Sequence, residues 1–162
     1  MLTITLFITW LYYLLAVLLA SAVYLDWRYR QLPNWLSLLV LFSGVATLLL
    51  QQALASASYD ELGLRMLTAL LLILAALPVY YLGGLAAGDI KLIAALSVWF
   101  EFEQLKTFLL LTTLIGGFLA LIIICYNLCL TLLSFRYQSN KTKITTVPYG
   151  IAISLGTALV LF

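Results

Sequence analysis

MLTITLFITWLYYLLAVLLASAVYL, residues 1–25, contains no charged side chain. A helix needs about 20 apolar residues to cross the hydrocarbon core of a bilayer, and this run exceeds that. Residues 107–135 form a second uncharged run of the same kind. The whole chain of 162 residues is 65% hydrophobic and only 9% charged, with a mean hydropathy of +1.17. A soluble domain carries about a quarter charged residues, so the main solvent of this chain is lipid. A cleaved signal peptide is disfavoured, because no Lys or Arg precedes the first run and the run outlasts the roughly 7–15 apolar residues of a signal core. The first run is expected to remain as a membrane span.

Outward from that run, apolar stretches alternate with short polar breaks. Six helices are expected, at about 2–25, 34–55, 62–82, 90–100, 107–135 and 144–162. Pro33 disfavours helix through Leu32, and Asn34 is placed to cap the second segment with Trp35 at the interface. The third segment carries Pro78 and runs into glycines. The breaks after segments one, three and five hold Arg28, Arg30, Lys91, Arg136, Lys141 and Lys143; those after two and four hold only Arg65 and Lys106, beside four acidic residues. The positive-inside rule makes the first group cytoplasmic and turns both termini outward. Arg136, Lys141 and Lys143 read as anchors to lipid headgroups, as does Lys91. The longest break is about ten residues, too short to fold alone. The expected architecture is all-α, a single membrane-embedded domain over 1–162.

This orientation puts Asp26, at the end of segment one, and Asp89, at the start of segment four, on the same side. Ionisable residues at the edge of a span are costly and are functional candidates by default. Asp26 alone reads more readily as a solvated loop charge paired with Arg28 or Arg30. Asp89 does not pair readily with Lys91, because residues two apart on a helix point to different faces. Segment four is also short. Eleven residues rise about 16 Å, roughly half the hydrocarbon thickness, so the helix either recruits the glycine stretch and EFEQ or begins below the surface in a water-lined pocket. Glycines before it let other backbone approach closely.

Two carboxyl groups in one pocket suffice for aspartic-protease chemistry. Like charges at short range cannot both ionise easily, so one carboxyl stays protonated while the other draws a proton from water. The chain has no histidine, which excludes Ser-His and Cys-His nucleophiles and a zinc site completed by His. Cys125 and Cys129, four apart on one helix face, read as small apolar residues. Two other readings of the aspartates stay open: a transporter that relays protons or a cation, and a metal site leaning on water and backbone carbonyls.

Three stretches carry a resemblance. LDWRYRQLPNWL (25–36) resembles the segment of type IV prepilin peptidases in which an aspartate precedes Ile/Leu-Pro-Asn. GGLAAGDIKLIAAL (83–96) resembles their Gly-x-Gly-Asp-x-Lys-Leu signature, and VPYGIAISLG (147–156) their Pro-Tyr-Gly-x-Ala segment. The order and spacing match across nearly the whole chain. The resemblance implies a six-helix intramembrane aspartic peptidase of the cytoplasmic membrane, with Asp26 and Asp89 as the catalytic pair. It also implies motif and pocket roles for Pro33, Asn34, Gly84, Ala86, Gly88, Lys91, Pro148, Tyr149 and Gly150. The implied partner is a prepilin or pseudopilin with a basic leader and a hydrophobic helix, in contact with membrane lipids. No nucleic acid, metal or other cofactor is expected. Ala86 stands at the first motif glycine, which is expected to tighten the hinge. The two Cys-x-x-Cys pairs of larger, methylating members are absent, so the resemblance is to the small peptidase-only branch, such as Flp (tight adherence) or archaeal preflagellin peptidases. The PYGIAI ending favours the Flp side. Presenilin-like proteases share a Gly-x-Gly-Asp aspartate but end in Pro-Ala-Leu, where this chain has VPYG.

Overall fold

The computed structural model describes residues 2–55, 60–137 and 147–162. Those residues form six helices: α1 (Leu2–Tyr29), α2 (Asn34–Ala55), α3 (Asp60–Tyr81), α4 (Ala87–Ser97), α5 (Phe102–Tyr137) and α6 (Tyr149–Leu161). Four of them, α1, α2, α3 and α5, are long and apolar enough to cross a membrane. α4 and α6, with 11 and 13 residues, are shorter. Large apolar side chains such as Leu70 and Leu74 on α3, and Leu114, Phe118 and Leu121 on α5, are exposed. In water that surface would drive aggregation; facing lipid it costs nothing. This is a multi-pass membrane protein.

The helix ends depart from the sequence expectation in informative ways. α1 runs a turn further than Leu25, so Asp26 lies within the helix rather than in the break after it. It stops at Arg30, whose φ of 54° is left-handed and whose N–H bonds the Asp26 carbonyl at 3.0 Å. Gly83 and Gly84 are a helix cap. Gly83, at φ 73°, donates to Tyr80 O and Gly84 to Val79 O, both at 2.9 Å. That pair of bonds is a Schellman motif, in which the left-handed residue is usually glycine. α5 begins before Thr107, at Phe102, because Glu101–Gln104 start a helix rather than separate two. Arg136 falls in the last turns of α5, while Lys141, Lys143 and Ile144 lie outside the described residues.

α4 sits at the centre, packed on α2, α3 and α6, with α1 bridging α2 and α6 and α5 held by α6. Its apolar residues Leu92 and Leu96 join Leu15, Leu36, Val40 and Ile153 in one core. Its C-terminal end is pinned by distant groups. Trp99 donates its indole N–H to the Val40 carbonyl at 3.0 Å, and its ring covers Gly44. Arg65 donates to the Val98 carbonyl at 3.2 Å, bringing a cation to a helix C-terminus, where the dipole favours it. Phe100 stacks on Phe108 of α5. With that end fixed, the first turn of α4 is held in place at the opposite end of the bundle.

Candidate active site

At that opposite end lies a cavity of ≈ 550 Å³, lined by Asp26 and Arg30–Leu32 at the end of α1, Gly83–Ala86, Gly88 and Asp89 from the α3–α4 turn and the start of α4, Val147 before α6 and Tyr149 at its first position. The breaks after α1 and α3 and the approach to α6 therefore meet at one end, as the loop parity requires. Both aspartates are buried, Asp26 at 5% exposure and Asp89 at 7%. Their carboxyl groups are close enough for the charge of one to act on the other. Arg30 brings a cation whose field reaches Asp26.

Each carboxyl lies at the start of a helix. Asp89 is the third residue of α4, and its side chain reaches back to accept the backbone N–H of Ala86, the capping residue. This is the acidic half of a capping box; the other half is missing, since Ala86 has no side-chain donor or acceptor. Asp26 lies across the first turn of α6, where the backbone N–H groups of Gly150 and Ile151 face its carboxyl. Pro148, which precedes that turn, gives no side-chain cap. The first N–H groups of a helix are unsatisfied and carry partial positive charge, so a carboxylate from another helix completes the end of α6.

Two glycines make these approaches possible. A Cβ on Gly150 would stand 2.8 Å from Asp26 Oδ2 and 3.0 Å from its Cγ. A Cβ on Gly88 would stand 3.0 Å from the Leu32 carbonyl oxygen. Gly88 thus lets α4 begin against the α1–α2 turn. Ala86 differs: with φ −77° and ψ 150° it is extended backbone open to any residue, so alanine does not tighten the turn. The left-handed position is Gly83.

Of the residues singled out from the sequence, Asp26, Asp89, Gly84, Ala86, Gly88 and Tyr149 line the cavity. Gly150 stands behind Asp26, Pro148 precedes α6, and Pro33 accepts the Leu36 N–H at the start of α2. Lys91, read from the sequence as a headgroup anchor, is exposed and also has a protein partner. Its Nζ donates to Asn34 Oδ1 at 2.9 Å, joining the Leu-Pro-Asn and Gly-Asp-Ile-Lys segments on the other side of α4. Tyr149 packs its ring on Gly116 of α5. Gln31, Leu32 and Leu85 also line the cavity, without any sequence signal beyond adjacency to the motifs. Among the described residues no third His, Cys, Asp or Glu joins the aspartates, so a metal held here would lean on water and backbone carbonyls.

A model of the type IV leader peptidase family matches residues 13–125, which takes in both aspartates and the two motifs around them. The chain belongs to that family. Its membership makes it a peptidase and implies prepilin-like substrates. No curated protein and no solved structure matches the chain. The Pro-Tyr-Gly segment lies beyond the matched residues; it meets Asp26 through the fold.

Proposed function

We propose that this member of the family is an intramembrane aspartic endopeptidase that removes the short basic leader from Flp-like type IV prepilins or pseudopilins, with Asp26 and Asp89 as its catalytic pair. The observation that carries the reading is the meeting of two buried carboxyl groups, from α1 and α4, in one open cavity. In the resting enzyme the pair holds one proton. The ionised carboxyl takes a proton from water as the water oxygen bonds the scissile carbonyl carbon, and the protonated one donates to the carbonyl oxygen as negative charge develops there. When the C–N bond breaks, the proton taken from water passes to the leaving nitrogen. As the carbonyl re-forms, its oxygen returns the donated proton, so the pair again shares one; the products are a leader carboxylic acid, which ionises in water, and a free amine.

A substrate with a basic leader in the cytoplasm and a hydrophobic helix in the membrane has its junction at the cytoplasmic edge. The reading therefore needs the cavity end of the bundle to be cytoplasmic, with six crossings and both termini outward. The concentration of basic residues in the breaks at that end supports this. With Cys125 and Cys129 replaced by Ser, Glu101→Cys should react with an impermeant maleimide from outside intact cells, and Gln31→Cys only after lysis. The reverse pattern would overturn the orientation.

Methylation of the new N-terminus is not expected, because the chain lacks the Cys-x-x-Cys pairs of methylating relatives. Co-expression with candidate prepilins in a host without its own prepilin peptidases is the direct test. The gel should show leader loss, and mass spectrometry a mature pilin with a free α-amine. An uncleaved panel of prepilins would count against the substrate class, and a methylated terminus against the peptidase-only activity.

A further inference from the structure

Hydroxyls inside helices ordinarily donate to a carbonyl one turn back. Ser21, Ser43, Thr47, Ser97, Thr113 and Thr157 do so here. Ser154 does not. It is buried at 4% exposure, and its Oγ has no hydrogen-bond partner. Two other buried atoms against α6 share that condition: Thr112 Oγ1, on the side of Gly156, and Asp26 Oδ2, on the side of Gly150. Leaving Ser154 and Asp26 Oδ2 unsatisfied costs about 1–3 kcal/mol each, so a mutual partner is the expected arrangement.

Helix geometry points Ser154 and Asp26 at each other. Gly150 faces Asp26, and Leu161 shares a cavity with Tyr12 and Trp99. Ser154 lies four residues after the first and seven before the second, on the same face of α6. The start of α6 meets the end of α1 at Asp26, while Phe162 meets Tyr12, so the two helices are antiparallel. Side chains lean towards the N-terminus of their own helix. Asp26 therefore leans inward along α1, and Ser154 leans towards the cavity along α6. One turn in from Asp26 on α1 stands the small, fully buried Ala22.

Resting on the reading of Asp26 and Asp89 as the catalytic pair, we propose that Ser154 is a positioning residue for Asp26, its hydroxyl donating to Oδ2 through one buried water. Four residues of α6 rise about 6 Å between Gly150 and Ser154. Two hydrogen bonds of about 2.8 Å in sequence through a water bridge nearly that distance. Oδ2 then has a fixed donor on the side away from the substrate, while the α6 N–H groups hold the carboxyl from another. The bridge sets both the orientation of Asp26 and the ease with which it gives up its proton. The other charged or titratable groups facing Asp26 are Asp89 on α4, Arg30 at the end of α1 and Tyr149 on α6; α2, also packed on α1, contributes none.

The test is steady-state kinetics of Ser154→Ala, Ser154→Cys and Ser154→Thr on a prepilin in matched membranes. Removing a donor to an ionised group costs about tenfold, so Ser154→Ala should lower kcat by about that factor while KM stays within about twofold. The acidic limb of its kcat profile should move to higher pH, because the ionised form has lost a donor. Ser154→Cys, nearly the same size but a poor donor, should behave like Ser154→Ala, and Ser154→Thr should restore both rate and profile. An unchanged rate and profile in Ser154→Ala would overturn the proposal. So would equal losses in all three variants with the acidic limb unmoved, which would mark a packing role. Asp26→Asn run alongside separates the failures: cleavage by Asp26→Asn sinks the catalytic pair itself, whereas a dead Asp26→Asn beside an unaltered Ser154→Ala sinks only the bridge.

Discussion

Gly150→Ala should reduce leader cleavage by about 100-fold or more while the protein still inserts and folds. A methyl group there would lie 2.8–3.0 Å from Asp26 Oδ2, Cβ and Cγ, so either the carboxyl or the start of α6 must move. Overpacking of this kind costs about 1–3 kcal/mol of stability, which a packed bundle tolerates. The chemistry tolerates it less, since a misplacement of about 1 Å costs on the order of 100-fold in rate. The same shift withdraws the Gly150 and Ile151 N–H groups from the carboxyl. Gly117→Ala is the control: nothing lies within 4 Å of its Cβ, and it should cleave as the parent does. Cleavage rates of the two variants at matched membrane levels check the contrast. Full activity in Gly150→Ala would mean that the position of Asp26 against α6 does not matter.

The sequence revealed the helices well and their relation poorly. Uncharged runs and Pro33 located α2 and α3 almost to the residue, because a membrane span is written in its own composition. Asp26 and Asp89 were legible for a related reason, since charges at the margins of such runs are few. What joins one segment to another left no local mark. Lys91 and Asn34 are 57 residues apart, and the Trp99 indole finds a carbonyl 59 residues away. Neither partner is distinguishable in sequence from a solvated lysine or an interfacial tryptophan. Gly83–Gly84 looked like a hinge because glycine permits both freedom and a fixed left-handed turn, and only the two backbone bonds decide for the cap. Ser154 was silent because a serine in an apolar helix ordinarily bonds its own backbone; its significance lies in a bond that it does not make.

Two aspartates in one cavity are the centre of the account, and they should act as one unit. Replacing either by Asn preserves shape and removes proton exchange. Loss of a positioned acid or base costs typically 10²- to 10⁴-fold, and members of one catalytic unit do not lose activity additively. The proposed mechanism needs one proton between the pair, so cleavage should fall both at low pH, where both carboxyls are protonated, and at high pH, where neither is. The measurement that bears most directly on this is the cleavage rate of Asp26→Asn, Asp89→Asn and the double variant in matched membranes. Each single variant should lose nearly all activity, and the double should be little worse than either. Substantial cleavage by a single variant, or single losses that multiply in the double, would contradict a shared catalytic role for Asp26 and Asp89.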